Sequence, residues 1–311
     1  MYESFAKRKN GEIKVKIKTK NMIQGYAFIL PIVVLLLALS FYPLLRTIYL
    51  SFQNVKLSTM NNMKFSGLKN YIVLFTREEP NFFSKILPNT IYYVVGSVVG
   101  QIGIGFLLAF LVNKKSIKLR GVFRSITILP WVVSGIIISI SWRFMYEPRL
   151  GILNFLLGKL GVENLPTWLN DPKLVLPCLI VANIWHGMPF SFIIQTSGLQ
   201  SIDEDIYEAA VIDGATGWQQ LRYITLPLLK QFLVMNLVMT SMNTINSFDL
   251  IYATTKGGPL YMSEVMAVHM YRRAFDFGKL GEGAAVAVVI LILNLFLTIT
   301  YLKLNKEKVS K

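Results

Sequence analysis

Residues 201–227 read SIDEDIYEAAVIDGATGWQQLRYITLP, and they separate two long apolar segments of the chain. Their local chemistry predicts two short helices. Ser201 and Glu204 have the spacing of an S-x-x-E capping box, and Asp203 and Asp205 suit the positive end of a helix. Gly214 then supplies a C-terminal stop. This connection is therefore predicted to be structured, unlike an ordinary link between apolar segments.

The first of these helices is predicted to carry a contact face of small and apolar residues beside Glu208. Its members recur at helical spacing: Ile202, Ile206, Ala209, Ala210 and Asp213. A short helix with alanines on its contact face can enter a groove on another protein. A second helix is predicted over about Trp218 to Tyr223, and it leads to Pro227, which is tolerated at the start of the next apolar segment.

Composition places this loop in a membrane protein. Hydrophobic residues make up 53% of the 311 residues and charged residues 16%, against about 25% charged in soluble domains. The mean hydropathy of +0.50 is too high for a core of ordinary size to absorb. A soluble enzyme is disfavoured. The single cysteine, Cys178, excludes a disulfide framework and a metal site of cysteine ligands.

Six apolar stretches are long enough to span a bilayer, which takes about 20 residues each. The chain is therefore predicted to be an all-α, polytopic membrane protein with a basic tail at 1–24, a transmembrane domain at 25–302 containing the loop 200–227, and a basic tail at 303–311. Prolines within the stretches predict kinked helices. The six predicted spans are Gly25–Leu45, Ile91–Val112, Ile126–Tyr146, Leu174–Leu199, Leu226–Tyr252 and Ala284–Leu302.

The net charge of +15 is interpreted as the excess of Lys and Arg that cytoplasmic segments of membrane proteins carry. No RNA-binding or helix-turn-helix signature accompanies it, so nucleic acid is not expected as a partner. Both termini and the segment between spans two and three are predicted to lie in the cytoplasm of a bacterial cell. The residues concerned are Lys7, Arg8, Lys9, Lys14, Lys16, Lys18, Lys20, Lys114, Lys115, Lys118, Arg120, Arg124, Lys303, Lys306, Lys308 and Lys311.

A family resemblance rests on the loop. Glu208-Ala209-Ala210, three residues, Gly214, nine residues, Ile224, one residue and Leu226-Pro227 resemble the EAA signature of binding-protein-dependent ABC importer permeases at every fixed position. The resemblance implies the type I ABC importer permease fold. It also implies that the loop is a coupling helix that docks in a cleft of a cytoplasmic ATPase subunit, through Glu208, Ala209, Ala210, Asp213 and Gly214.

Other segments resemble the carbohydrate branch of that family, on the subunit type similar to the first permease of the maltose, glycerol-phosphate and multiple-sugar systems. They are Leu30-Pro31, residues 41–52, Gly67 to Tyr71, Lys256 to Pro259 and Tyr271 to Phe275. The large external insertion and extra N-terminal spans of the maltose subunit are lacking. The resemblance implies a heterodimer with a related permease, two ATPase subunits that hold ATP and Mg, an extracellular solute-binding protein and a sugar or oligosaccharide. No cofactor is expected in this chain.

Two predicted spans carry polar residues at helical spacing, which are costly in a bilayer unless they face a cavity or a bundle interior. The fourth span has Asn183, His186, Gly187 and Phe190, and the fifth has Thr240, Asn243, Thr244 and Ser247, with Asn246 and Asp249 nearby. Amide and hydroxyl groups pair with sugar hydroxyls, and an aromatic ring can cover a pyranose face. The resemblance places these eight positions at sugar contacts. The alternative is that they form interhelical hydrogen bonds.

Several rival functions lack their sequence signals. No G-x-x-x-x-G-K-[ST] loop is present, so no ATPase site is expected here. An ion-coupled secondary transporter would show inverted repeats, and none is seen. An importer of glycerol phosphate or of an acidic, uronate-containing oligosaccharide remains an alternative within the family. Gly100, Gly103 and Gly105 are interpreted as sites of close helix packing.

Overall fold

The structure is a computed structural model that describes residues 6–9, 12–15, 19–60, 63–113 and 119–306. Residues up to Leu50 form one unit, and residues from Ser51 onward form a second. Some basic residues assigned above to the cytoplasm lie outside the described residues: Lys16, Lys18, Lys114, Lys115, Lys118, Lys308 and Lys311.

The first unit contains a small hairpin followed by a long helix. Strand β1 (Ala6–Lys9) pairs antiparallel with β2 (Glu12–Val15), whose E-I-K-V sequence alternates at the strand period. Helix α1 (Thr19–Leu36) continues through a π-helical turn, Leu37–Phe41, into α2 (Tyr42–Ser51). The continuous helix covers the predicted first span.

In the described residues of the second unit, the regular secondary structure is helical except for one two-stranded ribbon, β3 (Gln53–Asn54) with β4 (Lys64–Phe65). π-helical turns at Phe82–Ile86, Leu221–Thr225 and Arg272–Asp276 adjoin its helices. The helices are α3 (Lys69–Thr76), α4 (Leu87–Val112), α5 (Arg120–Val132), α6 (Gly135–Met145), α7 (Ile152–Lys159), α8 (Val175–Gln200), α9 (Glu204–Ile212), α10 (Gly217–Gln220), α11 (Leu226–Ile245), α12 (Asp249–Thr255), α13 (Met266–Tyr271) and α14 (Leu280–Lys306).

Five helical segments in the described residues are long and apolar enough to cross a membrane, and the bent pair α5–α6 makes six if it counts as one span. The prediction of an all-α membrane protein is confirmed. The five segments are Tyr26–Ser51, Phe82–Val112, Val175–Gln200, Gly217–Thr255 and Leu280–Lys303.

The predicted third span, Ile126–Tyr146, corresponds to the bent pair α5–α6, and it is broken sharply where a kink was predicted. Helix α5 ends at Val132 and α6 begins at Gly135, with 95° between their axes. The two residues between them are extended, with ψ of 136° at Val133 and 138° at Ser134. Two extended residues cannot continue an α-helix, so the segment turns sharply at this point, whereas a proline kink would only have bent it.

Helices α4 and α8 share the most extensive helix–helix contact in the described residues, and glycines permit a close approach. A Cβ atom on Gly100 would lie 2.2 Å from Ile184 Cδ1, and one on Gly105 would lie 2.7 Å from Ser191 Cβ. A Cβ on Gly103 would meet nothing within 4 Å. The close-packing interpretation therefore holds for Gly100 and Gly105 and is wrong for Gly103, which is exposed on another side of α4.

Candidate functional site

The eight residues predicted to contact sugar all line one cavity of about 420 Å³ between α8 and α11. Helices α4, α5, α6 and α12 contribute the remaining walls. The other lining residues are Gln101, Trp131, Gly135, Asn246, Phe248, Asp249 and Leu250. The two helix faces that the sequence spacing identified therefore lie at one cavity.

His186 joins this cavity to the break between α5 and α6. Its Nδ1 lies 3.1 Å from the carbonyl oxygen of Pro130. A carbonyl oxygen can only accept, so Nδ1 carries the hydrogen and Nε2 is the nitrogen left for another partner. Next to this contact, the rings of Trp131 and Phe190 lie 6.1 Å apart between centroids. The resulting wall combines an imidazole with an aromatic pair, a surface suited to a sugar ring.

The structure explains why position 187 is a glycine, which the sequence did not reveal. A Cβ atom at this position would lie 2.3 Å from Gln101 Oε1, so the glycine makes room for the Gln101 side chain. Gln101 Nε2 donates to the carbonyl of Asn183 across the α4–α8 contact. Sequence reasoning missed Gln101 as a lining residue, although a buried amide in an otherwise apolar span was a usable signal.

Asn183 presents a hydrogen-bond donor that the described part of the chain does not satisfy. The residue is 6% exposed, and its Nδ2 atom is buried without a partner. Most buried polar atoms in proteins do have partners. An unpaired donor in the wall of a polar cavity is what a ligand oxygen would complete.

The predicted residues of α11 have two kinds of environment: some are hydrogen-bonded inside the bundle, and others are exposed to the cavity. Thr240 is 1% exposed, and its hydroxyl donates to Asn236 Oδ1, which also accepts from Ser191 on α8. Thr240 therefore takes part in an interhelical polar cluster, the alternative left open above, and Asn236 is a buried member that the sequence did not single out. Asn243, in contrast, is exposed to the cavity.

The predicted coupling residues lie on α9 and the turn that ends it. Tyr207 Oη and Thr225 Oγ1 lie 2.9 Å apart, which fixes α9 against the turn leading into α11. Gly214 follows the helix with φ of +78°, the left-handed conformation predicted for a C-terminal stop. Glu208, Ala209, Asp213 and Gly214 are exposed, whereas Ala210 is buried.

Two details of the loop differ from the prediction. Ser201 does not cap α9: its hydroxyl donates to the Gly198 carbonyl, and Asp203 is the N-cap residue, accepting from the Asp205 amide. The capping box instead forms on α10, between Thr216 and Gln219.

The outward face of α9 also differs from the predicted contact face, because Val211 and Ile212 are 63% and 86% exposed while Ala210 packs inward.

The predicted short second helix is α10, and it runs through a π-helical turn into α11.

The cavity and the loop lie at different levels of the same two helices. Helix α8 connects Asn183 directly to Gln200 at the loop, a distance of about 25 Å along the helix at 1.5 Å per residue. Two continuous helices, α8 and α11, therefore connect the loop to the cavity.

These features define a polytopic helical membrane protein with a polar cavity in its bundle and an exposed amphipathic helix at one end. Over residues 101–308 the chain matches the family described as binding-protein-dependent transport system inner membrane component, and it belongs to that family. It is therefore a membrane component of a transport system, as the EAA resemblance implied.

Similar proteins cover nearly the whole chain. The trehalose/maltose transport system permease protein MalF of Thermococcus litoralis is 32% identical over 292 residues, covering 94% of this chain and 96% of that protein. The sulfoquinovosyl glycerol transport system permease protein SmoG of Agrobacterium fabrum is 31% identical over 282 residues, covering 89% of each.

Among solved structures, a chain of a bacterial alginate ABC transporter in complex with alginate pentasaccharide-bound periplasmic protein superposes with a TM-score of 0.76. It is 22% identical and covers 91% of this chain and 93% of that chain. This similarity confirms the predicted type I ABC importer permease fold. The coupling residues, the sugar contacts and the cytoplasmic placement of the termini stay predictions.

Proposed function

We propose that this chain is the permease subunit of an ATP-driven importer for a sugar or oligosaccharide. The observation that carries the proposal is the cavity, which is lined by all eight predicted residues, seven of them polar or aromatic. Amides, hydroxyls and an aromatic pair around about 420 Å³ suit the alternating polar edges and apolar faces of a saccharide. The names of the similar transport proteins, for trehalose/maltose and sulfoquinovosyl glycerol, support the same substrate class.

The charges of the cavity favour a neutral saccharide over the acidic alternatives. Among the described lining residues there is no Lys or Arg, and Asp249 is the one carboxylate. Glycerol phosphate and uronate oligosaccharides would bring negative charge next to this carboxylate with no Lys or Arg among the described lining residues to balance it, and His186 would be the one lining group able to become cationic.

The machinery in this proposal has four further components. A related permease completes the transmembrane heterodimer, two ATPase subunits bind ATP and Mg, and a solute-binding protein delivers the sugar from outside. Loop 200–227 and both termini lie in the cytoplasm. Closure of the ATPase pair draws the two coupling loops together, and α8 and α11 carry that movement to the cavity, switching its access between the two sides.

Uptake into proteoliposomes tests the proposal. The complex is reconstituted with its binding protein and offered radiolabelled maltose, trehalose, sulfoquinovosyl glycerol or alginate pentasaccharide, with ATP inside the vesicles. We expect ATP-dependent accumulation of at least one neutral sugar, and none when the ATPase subunits are left out. Uptake that needs no ATPase subunit and follows a proton or sodium gradient would show a secondary transporter instead.

A further inference from the structure

The break between α5 and α6 does more than bend a span, because it places the start of a helix at the cavity. Helix α6 has 11 residues, and Gly135, its first residue, lines the cavity. The first amide groups of any α-helix have no acceptor within the helix. The side chain of Ser134, which precedes α6, makes no capping hydrogen bond. The backbone amide of Gly135 is thus a donor at the cavity wall.

Two further groups at the same cavity point to a ligand. The first is the buried Asn183 Nδ2, which has no partner in the described part of the chain. The second is Asp249: a Cβ atom built on Gly135 would meet only Asp249 within 4 Å, at 3.6 Å from its Cβ and 3.9 Å from its Oδ2. A carboxylate next to a helix N-terminus is electrostatically favourable. It also places a strong acceptor beside the backbone donor.

We propose that the N-terminus of α6 and Asp249 together form a subsite for one hydroxyl group of the transported saccharide. A hydroxyl both accepts and donates, so it can accept from the Gly135 amide while it donates to the Asp249 carboxylate. A carboxylate or phosphate oxygen cannot donate and is repelled by Asp249. The subsite thus selects hydroxyl-bearing substrates through the main chain, in a place where side-chain patterns in the sequence show nothing. This inference rests on the proposed function.

Replacement of Gly135 by proline removes the amide hydrogen, and replacement by alanine retains it. Proline is well tolerated at the first position of a helix. The preceding residue, Ser134, has φ of −57° and ψ of 138°, the conformation that a residue before proline requires. A Cβ atom at position 135 makes only ordinary contacts. Gly135→Pro and Gly135→Ala are therefore a matched pair that differ in one donor.

Binding is read from protection of a reporter thiol in the assembled complex. The native cysteine is replaced (Cys178→Ala), and Asn246→Cys, which lines the cavity outside the eight predicted contacts, is modified with a thiol reagent. Maltose or trehalose is added, whichever the complex without these substitutions imports. We expect Gly135→Pro to raise the sugar concentration for half-protection about fivefold, the effect of one net hydrogen bond, and Gly135→Ala to change it less than twofold.

Equal half-protection in the two variants would overturn the subsite. If Gly135→Pro does not assemble, Asp249→Ala and Asp249→Asn provide the same test from the acceptor side, because asparagine keeps an acceptor oxygen and alanine does not. We then expect about a fivefold loss with alanine and less than twofold with asparagine, and equal losses would count against the subsite. Failure of the proposed function is distinguishable, since the complex without any substitution would then accumulate none of the saccharides.

Discussion

The coupling loop could need a glycine at position 214 for two reasons: its left-handed backbone conformation, or a lack of space for a side chain against the ATPase surface. Substitutions of Gly214 separate these two reasons. The backbone at this residue has φ of +78°, and a Cβ atom there would meet nothing within 4 Å in this chain. Any effect of Gly214→Ala on the isolated loop therefore comes from backbone conformation alone. For an ordinary L-residue the left-handed conformation is unfavourable by about 1–2 kcal/mol, and asparagine tolerates it much better.

The predicted consequence is a graded loss of ATPase docking. At 1.4 kcal/mol per factor of ten, a strain of about 1–2 kcal/mol lowers the ratio of the observed loop conformation to its alternatives roughly 5- to 30-fold, which is the upper bound on the loss of docking affinity. We expect Gly214→Ala to weaken binding of the ATPase subunits by up to that factor, and Gly214→Asn to weaken it less if only conformation matters. The assay is titration of the reconstituted permease pair with ATPase subunits, read as sugar-stimulated ATP hydrolysis.

The outcome also reports on the partner. If Gly214→Asn is as damaging as Gly214→Val, the ATPase surface itself excludes a side chain at this position. Wild-type binding and hydrolysis in Gly214→Ala would refute the reasoning, because they would show that the end of α9 does not need its observed conformation for coupling.

Two other substitutions test packing and the cavity. Gly100→Leu should prevent the close approach of α4 and α8, since even a Cβ would overlap Ile184, and the yield of folded, detergent-stable complex should fall severalfold. The control is Gly103→Leu, because a Cβ at position 103 meets nothing within 4 Å. Equal yields of the two variants would contradict the packing role of Gly100. Asn243→Ala should lower ATP-dependent sugar uptake about three- to tenfold through the loss of a ligand hydrogen bond, with ATPase assembly unchanged. The control is Asn170→Ala, since Asn170 is exposed in a loop outside this cavity, and this variant should transport normally. Unchanged uptake in Asn243→Ala would remove that residue from the site.

Features set by local periodicity or local conformation were predictable from the sequence. Polar residues at helical spacing, with Gly187 and Phe190 on the same face of the fourth span, indicated the two cavity faces, because a helix in an apolar environment has to point polar groups at one another or at a cavity. Gly214 was predictable because a helix that ends in the left-handed conformation strongly favours glycine.

Features that depend on distant partners were not predictable. The role of Gly187 depends on Gln101, which is 86 positions earlier in the chain and on another helix. Pro130 and Ser134-Gly135 favour a kink or turn near Val132, but they do not show that the Pro130 carbonyl is paired with His186 from α8. The cap of α9 shifted from Ser201 to Asp203 because the Ser201 hydroxyl bonds back to Gly198 at the end of the long helix α8. In each case, the observed conformation involves a contact with a residue that the local sequence pattern did not identify as a partner.

The central claim is that ATP binding at the partner subunits controls access of a saccharide to the cavity between α8 and α11. Its most direct test is the modification rate of Asn246→Cys in the Cys178→Ala background, measured in the whole complex with and without sugar and with and without ATP. The account predicts that the imported sugar slows modification and that ATP changes the rate, while a control cysteine at Asn170 responds to neither. A rate at position 246 that is indifferent to both sugar and ATP, in a complex that still imports sugar, would contradict the account.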